Sequence, residues 1–299
     1  MYEHFYHLSG KPFSLLPDAD FLFLSKRHRR VVNLLEYGIV TQAGFIVITG
    51  EVGAGKTTII RRYLKDAGSD VTVGVITNSS QSLGNLLSWV AMAFELPHDS
   101  KDDAATLYNK FIEFLVNQYA SGKRTVLIID EAQNLPASML EELRMLSNVN
   151  NEKDQLLQII LVGQPELLDI LKRTELRQFV QRISVHCHLD ALPLPETADY
   201  IRHRLSVVGG KPEIFDDQAC AIVHYYTGGV PRLINLLCDQ AMMYGFSDDR
   251  ETIDASLVSE VAADRNSSGL SPFREAPETM TTADMPVDVD KITKEIWSN

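Results

Sequence analysis

The stretch that constrains this chain most is Gly50-Glu51-Val52-Gly53-Ala54-Gly55-Lys56-Thr57-Thr58, entered from the apolar run Phe45-Ile46-Val47-Ile48. The order of residue types predicts a short strand, a glycine-rich turn and a helix starting near Lys56, the arrangement that cradles a polyphosphate. The spacing Gly-x4-Gly-Lys-Thr has a mechanical origin. Glycines let successive backbone N–H groups turn inward onto phosphate oxygens, where a Cβ would obstruct the turn or the ligand. Lys56 then brings a point charge to the β and γ phosphates, and the Thr57 hydroxyl takes a Mg²⁺ position. Gly50 to Thr58 are therefore expected to hold a nucleoside triphosphate, against the simpler account of a turn that only joins strand to helix.

A second apolar run, Val126-Leu127-Ile128-Ile129-Asp130-Glu131, ends in two carboxylates. Beside a phosphate loop, such a strand delivers Asp130 to the Mg²⁺ shell and Glu131 to a water aligned for attack on the γ-phosphate. The same pair also suits the acidic start of a following helix. Because a second carboxylate is present, hydrolysis is expected rather than passive nucleotide sensing. Leu161-Val162-Gly163-Gln164-Pro165 ends another strand with an amide. Gln164 either reaches the γ-phosphate or the attacking water, or is a turn residue before proline.

Three arginines invite a reading as partners of the transferred phosphoryl group, whose developing charge a guanidinium stabilises, often from a neighbouring molecule. Arg182, in Gln181-Arg182-Ile183, is the candidate for that role in trans. Arg232, in Gly228-Gly229-Val230-Pro231-Arg232, starts a helix of a second domain and would close that domain onto the nucleotide. Ordinary surface ion pairs are the alternative for both. Arg177 is the least favoured of the three for a catalytic part. In His186-Cys187-His188 the two histidines share one face of a strand and Cys187 points away, so at most two metal ligands converge.

The wider pattern alternates strand and helix, with nearly all-apolar strands at Phe45–Ile48, Val71–Ile76, Thr125–Ile129, Leu156–Val162 and Ile183–Leu189. That is an α/β fold with a parallel sheet covered on both faces. From Pro195 onward only helices follow: Thr197–Val207, Asp216–Tyr226, Pro231–Tyr244 and Asp254–Ala263. The expected organisation is an aromatic N-terminal segment and helix packing on the core (1–40), a nucleotide-binding core (41–192), a helical domain (193–265) and a flexible acidic tail (266–299), in which Ile292–Trp297 is a short helix or docking peptide.

No run approaches the roughly 18 apolar residues of a membrane span, and the N-terminus lacks the apolar stretch of a signal peptide. Three cysteines without paired spacing suit a reducing compartment. The chain is accordingly placed in the cytoplasm, or peripherally at the inner membrane. A formal net charge of −12 works against broad adhesion to nucleic acid. Lys26-Arg27-His28-Arg29-Arg30 is the local exception, with a solvated helix face as its simpler account.

Together, Lys11-Pro12-Phe13-Ser14, the Gly50–Thr57 loop, Ile129-Asp130-Glu131-Ala132-Gln133-Asn134, Glu142-Leu143-Arg144, Leu161 to Leu167, Gln181-Arg182-Ile183 and Pro231-Arg232-Leu233-Ile234-Asn235 resemble the AAA+ ATPases of the general secretion pathway protein A type, which include ATPases of exosortase and exopolysaccharide loci. The resemblance covers about residues 1–265. It implies a P-loop αβα core with a helical lid, ATP and Mg²⁺, and homo-oligomers in which Arg182 resembles the arginine finger and Arg232 the second sensor. Longer members continue into a membrane span and a peptidoglycan-binding region, whereas this sequence runs into a polar acidic tail. An accessory ATPase for secretion, envelope or exopolysaccharide assembly, with unidentified envelope proteins as partners, is the expected function. The core also resembles ATP-dependent regulators of DNA transposition, which makes a DNA-binding switch the alternative.

Overall fold

The computed structural model describes residues 1–16, 18–66, 68, 70–77, 85–99, 102–150, 154–269 and 271–275, without the side chains of 19 and 63–66. They fall into two compact units: residues 26–51 with 56–189, and residues 1–25 with 52–55 and the chain from 190 onward.

A four-residue helix, α1 (Tyr2–Phe5), opens the second of these. The first runs through α2 (Lys26–Val40), β1 (Phe45–Gly50), α3 (Lys56–Asp66), β2 (Val71–Ile76), α4 (Leu86–Ala93), α5 (Ala104–Ala120), β3 (Arg124–Ile129), α6 (Ala137–Leu146), β4 (Leu157–Gly163), α7 (Glu166–Leu171), α8 (Arg177–Val180) and β5 (Ile183–Leu189). Asn85 and Asp103 cap α4 and α5 by accepting from the N–H groups of Ser88 and Thr106. The apolar spacing over Leu83–Phe94 predicts a helix whose first residues, 83 and 84, lie outside the described residues.

The five strands form one parallel sheet in the order β2-β3-β4-β1-β5. Their sequences explain their places. Every residue of β1 and β4 is buried, as both faces of an interior strand require. On the edge strand β5, Val185, Cys187 and Leu189 are buried while Ser184, His186 and His188 are exposed. One face packs Phe45, Val47, Leu127, Ile129, Leu157 and Leu161 against Leu86, Trp89, Phe111 and Leu140. Because all strands run one way, their C-terminal tips share an edge. Thr49 lies opposite Gly163 and Ile129 opposite Leu161, so the tips of β3, β4 and β1 lie side by side.

The other unit holds α9 (Leu194–Val207), α10 (Asp217–Thr227), α11 (Pro231–Ser247) and α12 (Ala255–Ser267). Asp216 and Asp254 cap α10 and α12, and Gly228 ends α10 in the left-handed conformation. Tyr2, Tyr6, Leu8 and Phe13 are buried in the same core as Ile201, Leu205, Phe215 and Leu237. The buried Arg204 donates to the carbonyls of Pro12 and Ser14, with its guanidinium 4.6 Å above the Phe21 ring. The expected N-terminal segment, residues 1–40, is thus divided between the two units. The aromatic segment as far as Ser25 takes the helical unit as its apolar partner, and only α2 stays with the sheet.

The tail also begins later than expected. α12 extends to Ser267, Phe273 is only 7% exposed, and the Arg274 N–H donates to the Tyr226 carbonyl (3.0 Å). The proposed Ile292–Trp297 element lies outside the described residues.

His224, whose Nδ1 lies 2.9 Å from the Thr197 hydroxyl, gives the helical unit a pH dependence. Burial, with a smaller contribution from Arg274, pushes its imidazole down to about 4. The unfolded chain therefore binds this proton more tightly, so the contribution is intact above about pH 6.5 and is lost as pH falls toward 4. Thermal melts across this window should show a smaller loss for His224→Gln than for the parent. Parallel curves would show that the histidine is not responsible.

Candidate nucleotide site

The loop between β1 and α3 has the backbone that its glycines promise. Gly53 and Gly55 sit at φ 82° and 100°, the left-handed region that side chains disfavour. At Gly50 a Cβ would lie 2.5 Å from the Leu189 carbonyl oxygen, so the loop leaves β1 against β5 with no room to spare. Lys56, in the first turn of α3, is only 6% exposed and donates to the carbonyls of Gly50 and Glu51. Burial lowers its pKa, with Glu131, Asp130 and Glu51 acting in opposition. Thr58 follows, half-buried, in the same turn.

At the tip of β3, Asp130 Oδ2 accepts from the Thr57 hydroxyl at 3.0 Å, and Oδ1 accepts from the Glu131 N–H at 3.0 Å. This pairing tests the fit of a Mg²⁺ ion. One hydroxyl and one carboxylate converge, and among the described residues no group of three His, Cys, Asp or Glu side chains does. Such a donor set suits an ion that takes its remaining ligands from phosphate and water, as Mg²⁺ does.

Glu131 itself is strained, with φ 54° and ψ 39°. A non-glycine residue there costs on the order of 1 kcal/mol or more, and such strain clusters at functional positions. Its Oε2 accepts from Gln164 Nε2 (3.1 Å) and from Gln133 Nε2 (2.6 Å). Burial acts to raise its pKa, but the two amide donors and the Lys56 charge outweigh it and hold the carboxylate below its usual range.

Gln164 is thus brought to Glu131 across the neighbouring strands β3 and β4. Gln133 was not singled out from the sequence, because a polar residue just after an acidic pair reads as helix surface. The available signal was its place in Asp130-Glu131-Ala132-Gln133, three residues before Pro136, where a helix has not yet begun.

Arg182 Nη1 donates to Ser147 Oγ (2.9 Å) and to the Arg144 carbonyl (3.4 Å), at the C-terminal end of α6. Arg232 is exposed near the start of α11, and its N–H donates to the Gly53 carbonyl (3.2 Å), both residues belonging to the helical unit. Arg177 is exposed at the start of α8. His186 and His188 share a face of β5, their ring nitrogens 3.3 and 2.9 Å from the Thr49 hydroxyl, while Cys187 is buried on the other. Lys26 to Arg30 form the first turns of α2, with His28 buried and its four cationic neighbours exposed. Among the described residues, no helix is long and apolar enough to cross a membrane.

Residues 40–171 match a family described as an AAA domain. General secretion pathway protein A of Aeromonas hydrophila is 39% identical over 247 residues, covering 83% of this chain and 45% of that protein. The chain therefore spans less than half of that relative's length. Among solved structures, the Aeropyrum pernix ORC2 protein in its ADPNP-ADP complexes superimposes with a TM-score of 0.59 at 17% identity, over 85% of this chain and 70% of that one. The Thermotoga maritima RuvB Holliday junction branch migration motor gives 0.53 at 17% identity, over 81% and 70%. These two likenesses concern the fold.

Sheet order, loop backbone and family match together define a P-loop protein of the AAA+ ATPase class, followed by a helical unit. Within that class the chain belongs with the ATPases of the general secretion pathway protein A type.

Proposed function

We propose that this chain hydrolyses ATP to ADP and phosphate, in a Mg²⁺-dependent reaction, as an oligomeric accessory ATPase of a secretion, envelope or exopolysaccharide assembly system. The observation that carries the chemical part is the convergence of Lys56, the Thr57–Asp130 pair and the amide-held Glu131 at adjoining strand tips. The Gly50–Lys56 backbone binds the phosphates, Lys56 places its charge on them, and Glu131 orients a water and takes its proton. Thr57 and Asp130 would hold Mg²⁺, which supplies charge neutralisation at the phosphates. Gln164, hydrogen-bonded to Glu131, is positioned to report on the γ-phosphate.

Arg182 enters this reading as the finger that a neighbouring copy receives. Arg232 enters as the second sensor, supported by its backbone bond to the loop residue Gly53. The secretion setting is supported by the name of the relative, general secretion pathway protein A, and the envelope and exopolysaccharide settings by the resemblance of the sequence motifs.

Phosphate release by the purified protein, with binding of a fluorescent ATP analogue measured alongside, tests the chemistry. Glu131→Gln should bind the analogue normally and turn over about 10²–10⁴-fold more slowly. Turnover at the parental rate would remove Glu131 from the mechanism.

A further inference from the structure

We infer that Gln133 is a positioning residue: its carboxamide braces the tip of β4 against the tip of β3 and fixes the Glu131 carboxylate in the orientation that catalysis requires. This rests on the reading of Glu131 as the group that activates water.

The geometry leaves little choice of arrangement. Gln133 Oε1 accepts from the backbone N–H of Gln164 at 3.0 Å, and Gln133 Nε2 donates to Glu131 Oε2 at 2.6 Å. A main-chain N–H only donates and a carboxylate only accepts, so the amide is locked in one orientation from both ends. The Gln164 side chain donates to the same Oε2 at 3.1 Å, so two amides share one carboxylate oxygen and the three residues Glu131, Gln133 and Gln164 close a hydrogen-bonded ring.

Two local features make room for the brace. Residues 132–134 form a single tight 3-10 turn instead of entering α6 directly, and this turn holds Gln133 beside the strand tips. At Gly163 a Cβ would lie 3.0 Å from Gln133 Oε1, tighter than ordinary contact, so the glycine lets the amide approach β4. The left-handed backbone of Glu131 adds a reason for a brace, because a strained residue keeps its place only where its surroundings over-determine it.

Gln133→Met keeps the length and removes both amide functions, whereas the neutral ring of Gln133→His retains one acceptor and one donor. For each, kcat, KM for ATP, affinity for a fluorescent ATP analogue and melting temperature are to be measured, with a crystal structure of the methionine variant. The methionine variant should lose about 10- to 100-fold in kcat, with analogue affinity within about twofold of the parent, because misplacing a catalytic group costs rate without costing binding. Its Glu131 carboxylate should be displaced in the crystal, and the histidine variant should be the faster of the two.

An unchanged kcat in Gln133→Met, a loss matched in analogue affinity, or two equally slow variants would each overturn the inference. Failure of the parent to release phosphate, or full activity of Glu131→Gln, would instead overturn the ATPase reading and take this inference with it.

Discussion

Lys56→Ala should reduce phosphate release from ATP by at least about 10²–10³-fold, the usual cost of removing one preorganised charge from a water-poor site. The structure gives reasons to expect the full effect. Lys56 is nearly buried, faces the Asp130 and Glu131 carboxylates, and already has a lowered pKa from desolvation, so its charge acts in a medium that screens poorly. Alanine leaves no cation to take its place. The left-handed turns at Gly53 and Gly55 do not depend on the ammonium group, but its hydrogen bonds to the Gly50 and Glu51 carbonyls are lost, so a modest fall in melting temperature should accompany the loss of activity. Comparing phosphate release and melting temperature of parent and variant separates the two effects. A variant that hydrolyses ATP as fast as the parent would show that the chemistry lies elsewhere.

Gly229→Ala should strongly destabilise the helical unit. Gly229 sits at φ 76°, and a Cβ there would fall 1.9 Å from the Leu192 carbonyl oxygen, inside any tolerable contact. The neighbouring backbones cannot drift apart freely, because Leu192 N–H donates to the Gly229 carbonyl at 2.9 Å. Backbone strain and overpacking together are expected to cost about 3 kcal/mol or more, or about 10 °C in melting temperature. Gly209 supplies the control. It shares a φ of 76° but has nothing within 4 Å of its would-be Cβ, so Gly209→Ala should cost only about 1 kcal/mol. The turn also leads into Pro231 and Arg232, and the bond from Arg232 to Gly53 should weaken in the same variant. Equal melting temperatures for the two substitutions would contradict this account.

Much of the sheet and the phosphate loop was legible because both are written in local signals. β2 and β5 run over the residues that their β-branched and apolar runs mark out, Val71–Ile76 and Ile183–Leu189. The carboxylates at the end of Val126–Ile129 stand beside the loop because the sheet is parallel, which strand-helix alternation already implies. Helix starts shifted by a residue or a turn where caps decided them. Asp216 and Asp254 stand outside their helices as caps, and α9 begins at Leu194 because Pro195 fits its first turn.

What was not legible depends on contacts between distant stretches. Nothing local says that Arg204 will satisfy the carbonyls of Pro12 and Ser14, or that Phe13 will pack on Phe215 at 5.8 Å, so the place of the aromatic segment in the helical unit could not be read from the sequence. Gln133 was missed for a related reason. Its two hydrogen bonds reach across β3 and β4, and only the folded sheet brings those tips together.

The burial of Tyr2, Tyr6 and Phe13 among helices from the far end of the sequence bears on how this protein is made. A ribosome adding roughly 5–20 residues per second needs on the order of 10–40 s to deliver Phe215 after Phe13 has emerged. Throughout that interval the aromatic leader has no native surface to cover it, while the intervening strands are already being synthesised. Nascent chains halted before α10 should therefore expose a greasy N-terminus that recruits holdase chaperones, and release of that chaperone would mark completion of the helical unit.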